Sequence, residues 1–160
     1  MAESKEKRSG PSHTFAEGST AFQMACASKQ DFLMKILMEH PRIELNRVNV
    51  DGDAAVHFAA RRGNIFIIDQ LLAAGDNIQW NIKNNFGYTP LHVAVLNNQS
   101  AIVEKLLTIK TIIADEKDND GKTALDYALQ YHVTEFDLTV IVGLLKAEFA
   151  VLLAETAKTS

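Results

Sequence analysis

The sequence predicts an all-α repeat solenoid of about four helix pairs, and three observations carry the prediction. The first is Gly87 to Leu107, GYTPLHVAVLNNQSAIVEKLL, which reads as a tight turn, a short helix, a polar turn and a second helix. Helices this short cannot bury their apolar sides alone. The second is recurrence. Gly18-Ser-Thr-Ala-Phe-Gln-Met-Ala25, Gly52-Asp-Ala-Ala-Val-His-Phe-Ala59, Gly87-Tyr-Thr-Pro-Leu-His-Val-Ala94 and Gly121-Lys-Thr-Ala-Leu-Asp-Tyr-Ala128 align without gaps, their glycines 34, 35 and 34 residues apart. The third is an apolar pair 17 residues after each Thr position: Leu37-Met38, Leu71-Leu72, Leu106-Leu107 and Val140-Ile141. Self-similarity at such a period means stacked units that share one linear core.

The motif Thr-Pro-Leu-His-x-Ala, best preserved at Thr89 to Ala94, is similar to the ankyrin repeat, and the resemblance covers roughly residues 16 to 145. It implies paired antiparallel helices joined by β-hairpin-like connections, a His that ties each repeat to the next turn, and protein partners on a concave face. The expected organisation is a disordered tail over 1–14 and a repeat domain over 15–157. Its repeats fall at about 16–48, 49–83, 84–117 and 118–157.

The first segment, MAESKEKRSGPSHT, is polar and nearly free of large apolar side chains, hence the tail. Repeat one is degenerate, as a terminal repeat should be. Phe22-Gln23-Met24 replaces Leu-His-Leu, with Gln23 at the His position. Phe32, Leu33, Ile36, Leu37 and Met38 supply its second helix, and Pro41 ends it. Cys26 occupies a small-residue position, so a buried structural thiol is expected.

Repeat two has Ala55-Val56-His57-Phe58 in its first helix, a turn at Arg61-Arg62-Gly63-Asn64, and a second helix from Ile65 to Leu72 that Gly75 ends. The connection from Asp76 to Phe86 holds the only tryptophan, Trp80, expected to be partly buried under its finger. Repeat three opens on Thr89-Pro90, where proline's missing N–H is harmless. Asn97-Asn98 breaks its first helix, and Ile102, Val103, Leu106 and Leu107 mark one face of its second.

Repeat four begins regularly, but Asp126 replaces the His. Two registers follow. Either Phe136 and Val140-Ile141 stay in phase, or an insertion over Tyr131–Asp137 makes Leu144-Leu145 the equivalents. The insertion is preferred, because it keeps Asp137 out of the core. The last helix, Leu138 to Ala157, has a broad apolar face. It packs on repeat four, continues into further repeats, or forms a dimer through residues 138–153.

At 160 residues with 47% apolar and 22% charged side chains, the chain can build one domain. A net charge of −4 and a pI near 5.7 argue against nucleic acid as a partner. One cysteine permits no internal disulfide and suits a reducing compartment. Neither a signal peptide nor a spanning stretch is visible, so no membrane contact and a cytoplasmic or nuclear location are expected.

Catalytic chemistry finds no support. His57 and His92 are repeat-equivalent, but cysteine or carboxylate ligands at metal spacing are missing. No nucleophile elbow, phosphate loop or dinucleotide fingerprint occurs. Asp115, Glu116, Asp118 and Asp120 lie in a turn rather than an apolar pocket. The expectation is no enzyme, no cofactor and no metal.

What remains is a surface. The resemblance implies exposed partner-binding positions at Asp53, Arg61 and Arg62 in repeat two, beside Val50 and Asp51. They continue at Asn85, Phe86, Tyr88, Leu96 and Asn97 in repeat three. Repeat four adds Lys122, Gln130 and Tyr131, with Asn119 and Asp120. Aromatics beside arginine are the composition of binding hot spots.

A narrower likeness rests on Asp51-Gly52-Asp53 and on Asn84-Asn85 followed by Thr89-Pro-Leu-His and Asn98-Gln99. These resemble I-kappa-B-class inhibitors, virus-encoded forms included, which would mask a Rel or NF-kappa-B-type transcription factor stoichiometrically. Four repeats are fewer than that class carries, and Arg8-Ser-Gly-Pro-Ser is not its destruction signal. An adaptor, or a fragment of a larger ankyrin scaffold, is the other alternative.

Overall fold

In a computed structural model, which describes residues 18–75, 77–131 and 136–158, eight helices form in pairs. They are α1 (Ala21–Ala27) and α2 (Asp31–Met38), α3 (Ala55–Arg62) and α4 (Ile65–Ala73), α5 (Pro90–Leu96) and α6 (Ser100–Leu107), α7 (Ala124–Gln130) and α8 (Phe136–Lys158). The threonines begin them. Thr20, Thr89 and Thr123 each accept the N–H of the third helical residue, and the side chains of Gln23, His92 and Asp126 return to the cap N–H. Ala54 has no acceptor, so only the return bond from its N–H to His57 Nδ1 forms, at 3.0 Å.

The first helices α1, α3, α5 and α7 pack side by side in chain order, and α4, α6 and α8 form a second row behind them. Alanine permits the close approach in the first row: Ala55, Ala59, Ala60, Ala94, Ala124 and Ala128 are fully buried. Larger side chains fill the second row with one recurring triad, Ile67-Ile68-Leu71 and then Ile102-Val103-Leu106. Burying each such side chain stabilises by roughly 1.5–3 kcal/mol. In α2 the triad loosens, with Met34 buried but Leu33 39% exposed.

In α8 the triad is Ile141-Val142-Leu145, so Leu145 stands 39 residues after Leu106, where Leu106 stands 35 after Leu71. Extra residues therefore precede α8. The equivalents of Leu106-Leu107 are Leu145-Lys146, one residue beyond the Leu144-Leu145 expected, because burial follows the helical face rather than the sequence pair. The helix also begins at Phe136, two residues before the expected Leu138. Residues 132–135 and the expected tail over 1–14 lie outside the described residues.

Two further expectations are modified. The connections are hairpin-like only at their tips, and no strand occurs among the described residues. Trp80 is more than partly buried, at 6% exposure beside Ile78. Cys26 is fully buried as expected, and burial pushes its thiol up to about 12.

Candidate functional site

Each connection ends in the same turn. The N–H groups of Asn49, Asn84 and Asp118 donate to the carbonyls of Asp53, Tyr88 and Lys122, four residues on, at 3.1, 3.1 and 2.9 Å. Their side-chain oxygens accept the N–H groups of the second and fourth following residues at 2.8–3.0 Å. An Asn or Asp at this position thus replaces a strand ladder with a side-chain turn. Successive tips are bonded directly. Asn85 N–H donates to the Asp51 carbonyl at 2.9 Å, and Asn119 Nδ2 donates to the Asn85 carbonyl at 2.8 Å.

The close approach requires glycine. A Cβ on Gly87, at φ 79°, would stand 2.5 Å from the Asn119 nitrogen.

Buried polar side chains tie the turns to the first helices. His57 Nε2 meets the Tyr88 carbonyl at 3.0 Å, and His92 Nε2 meets the Lys122 carbonyl at 3.1 Å. Gln23 does the same work with an amide, donating to the carbonyls of Arg47 and Asp53. Asp126 has only acceptors, and its Oδ2 accepts both the N–H and the hydroxyl of Thr123. Burial holds both imidazoles below their ordinary value. Among the described residues, no three His, Cys, Asp or Glu side chains gather as a metal cluster.

The expected surface positions divide. After Gly52 and Gly121, position one pairs with position nine. Arg61 donates to Asp53 at 2.8 Å, and Lys122 donates to Gln130 at 2.8 Å. Asp53 is not the exposed residue expected. It is 3% exposed, and its second oxygen accepts Asn84 Nδ2 at 2.9 Å, so its charge is used within the fold. Arg61 is half-buried and lies over the Phe58 ring at 5.6 Å.

Arg62, Leu96 and Tyr88 are half-buried as well. Asn85, Asn97 and Gln130 are exposed, and Phe86 and Tyr131 are 48% and 54% exposed. Asn85 and Asn97 still bond backbone carbonyls, of Val50 and Val93, each at 2.8 Å.

Aromatic rings join these positions into one row. Phe86 stacks on Tyr88 at 5.9 Å, Tyr88 meets Tyr127 edge-on at 5.8 Å, and Tyr127 stacks on Tyr131 at 6.4 Å. Lys122 Nζ lies 5.2 Å from the Tyr127 ring centre. Tyr127 is the member that sequence reasoning missed. It stands six residues after Gly121, where Phe58 and Val93 follow Gly52 and Gly87, so the repeat alignment held the signal.

Its hydroxyl donates to Asp118, and burial followed by that bond pushes the phenol well above its usual range. Burial would raise the Asp118 carboxyl, but the bonds from Tyr127 and the N–H groups of Lys122 and Asp120 outweigh it and hold it low. The Tyr88 hydroxyl lies 3.4 Å from that of Tyr127, so these two polar edges face one another.

A second concavity, an open cleft of about 670 Å³, is lined by Trp80, Ile82, Ile109 and Lys110. No helix among the described residues is long and apolar enough to cross a membrane.

The family model for ankyrin repeats (three copies) matches residues 4–81 and 57–147. An ankyrin repeat protein of Fowlpox virus (strain NVSL) is 30% identical over 149 residues, 91% of this chain and 43% of its own length. Alpha-latrotoxin-Lg1a of Latrodectus geometricus is 36% identical over 118 residues, 72% of this chain and 8% of the toxin. The ankyrin repeat domain-containing protein SOWAHB of Xenopus laevis is 29% identical over 91 residues, 54% of this chain and 11% of its own. The chain therefore spans less than half of each relative.

Proposed function

The chain belongs to the ankyrin repeat family, and from that premise we infer a non-enzymatic module that binds a partner protein through the concave face of finger tips and first helices. The observation that carries this reading is the ring row from Phe86 to Tyr131, whose two ends are about half exposed. Exposed aromatics on rigid backbone supply binding energy with little side-chain entropy to lose. The binding positions proposed are Arg61, Arg62, Asn85, Phe86, Tyr88, Leu96, Asn97, Lys122, Gln130 and Tyr131. Asp53 supports them from below.

The test is affinity purification with wild type beside a Phe86→Ala/Tyr88→Ala/Arg62→Ala variant that folds by circular dichroism. A partner lost with the variant supports the concave face. A partner retained by it moves recognition elsewhere and sinks this reading. The narrower proposals, an I-kappa-B-like inhibitor of a Rel-type transcription factor and an adaptor or scaffold fragment, rest on sequence resemblance, and the identity of the captured partner decides between them. A cytoplasmic or nuclear partner is proposed, which the lone cysteine supports. Pairing of two chains through residues 138–153 is a separate proposal that size measurement in solution tests.

A further inference from the structure

The finger tips carry a pattern that the fold does not use. Asp51, Phe86 and Asp120 each immediately precede a turn glycine. Their N–H groups are held by the side chains of Asn49, Asn84 and Asp118 at 3.0, 3.0 and 2.9 Å. Three matching turns place the three side chains at one register position. The tips are neighbours, since Asn85 N–H donates to the Asp51 carbonyl at 2.9 Å and Asn119 N–H to the Phe86 carbonyl at 3.3 Å. Along the row of turns Phe86 therefore occupies the position between Asp51 and Asp120.

The Phe86 ring stacks on Tyr88 and is 48% exposed. Asp120 is exposed and Asp51 half-buried. Among the described residues, neither carboxylate forms an ion pair. Of the cations nearby, Arg61 is bonded to Asp53, Lys122 to Gln130 and Lys83 to Glu116, Arg62 closes α3, and Lys117 immediately precedes Asp118. At this register position the tip row is acidic and aromatic.

We propose that the tip row Asp51–Phe86–Asp120 seats a basic segment of the protein partner, with an arginine guanidinium on the open side of Phe86 and its flanking basic side chains on the two carboxylates. The proposal rests on the reading above that this face binds a protein. A guanidinium is planar and weakly hydrated, so it stacks on an aromatic face at less cost than an ammonium. The chain's net charge of −4 draws such a segment in.

The test uses the full 160-residue chain and a fluorescent peptide of alternating arginine and glycine, read by anisotropy. Peptides with lysine or glutamate in place of arginine are the comparisons. Tightest binding is expected for the arginine peptide and none for the glutamate one. Phe86→Leu, which keeps apolar bulk and loses the π face, should weaken arginine binding about threefold. Asp51→Asn with Asp120→Asn should weaken it about tenfold at low salt and much less at high salt.

Among the described residues, neither aspartate side chain is bonded within the fold, so the Asp51→Asn/Asp120→Asn protein should melt like wild type. Arginine binding unchanged by Phe86→Leu would mean diffuse attraction to an acidic protein and would overturn the proposal, as would no binding at all. If the Asp51→Asn/Asp120→Asn protein still captures the native partner while the Phe86→Ala/Tyr88→Ala/Arg62→Ala variant loses it, the basic-segment proposal falls and the concave face stands.

Discussion

His57 and Tyr88 are joined across 31 residues by one hydrogen bond, 3.0 Å from Nε2 to the Tyr88 carbonyl. The tautomer follows from the other nitrogen. Nδ1 accepts the Ala54 N–H at 3.0 Å, so the ring proton sits on Nε2 and is donated forward. One neutral imidazole thus caps its own helix and fastens the next turn. Gln23 reproduces both bonds with an amide, its Oε1 accepting the Thr20 N–H at 2.7 Å and its Nε2 donating to the Asp53 carbonyl at 3.1 Å.

Replacing His57 is therefore expected to divide by chemistry. His57→Ala strands the buried Ala54 N–H and takes one of two donors from the Tyr88 carbonyl, which keeps the Asn84 N–H. With the lost side-chain volume it should lower stability by about 2–4 kcal/mol. His57→Gln should lose less than half as much, because a glutamine already does this work in repeat one. Urea denaturation of the two variants measures the difference. Equal losses would show that the bonds contribute little.

Stability should also fall on mild acidification. Burial lowers the folded-state pKa of His57 and His92 below 6.5. Between the two values the unfolded chain binds more protons, so this contribution is complete above pH 6.5 and is lost as pH falls toward the folded pKa. A second loss should begin as pH falls through the ordinary carboxylate range, where the unfolded chain takes up the proton. It should end below that range, where Asp118, held low by its hydrogen bonds, is protonated in the fold. Melting temperature against pH checks both, and His57→Gln should flatten the first.

Tyr127→Phe keeps the ring and removes the hydroxyl that donates to Asp118. Destabilisation of about 1–3 kcal/mol is expected from the buried carboxylate oxygen left without that partner. Partner capture should survive, because the ring row is intact. Loss of capture in a folded Tyr127→Phe protein would mean that the hydroxyl itself is read.

The turn glycines offer a contrast within one chain. Gly87 and Gly121 have nearly the same φ, 79° and 75°, but only at Gly87 would a Cβ collide with the next turn. Gly121→Ala should cost about 1 kcal/mol of left-handed strain. Gly87→Ala should cost clearly more, since Asn119 backbone must move. Thermal melts of the two variants decide it, and similar values would mean that the tips yield easily.

Among particular residues, the legible part of the site was the part repeated with a period. Thr89, His92 and Asn84 recur at fixed offsets from a glycine, so their caps and bridges could be anticipated from the alignment. Tyr127 recurs too, but its position is filled by Phe58 and Val93 in the other repeats, and a buried apolar position does not announce a tyrosine with work to do. Asp53 was misplaced for the opposite reason. A charged residue at a variable position reads as exposed until Arg61 and Asn84 are seen to close over it.

The sequence by itself determined the solenoid and its helices, because helix periodicity, caps and turn residues act within one 34-residue unit and are written once per copy, and its family resemblance implied the histidine ties between repeats. Only the tertiary structure decided the register of α8, the burial of Asp53 and the ring row from Phe86 to Tyr131. Each of these depends on what a neighbouring repeat presents across the stack, which no single repeat encodes.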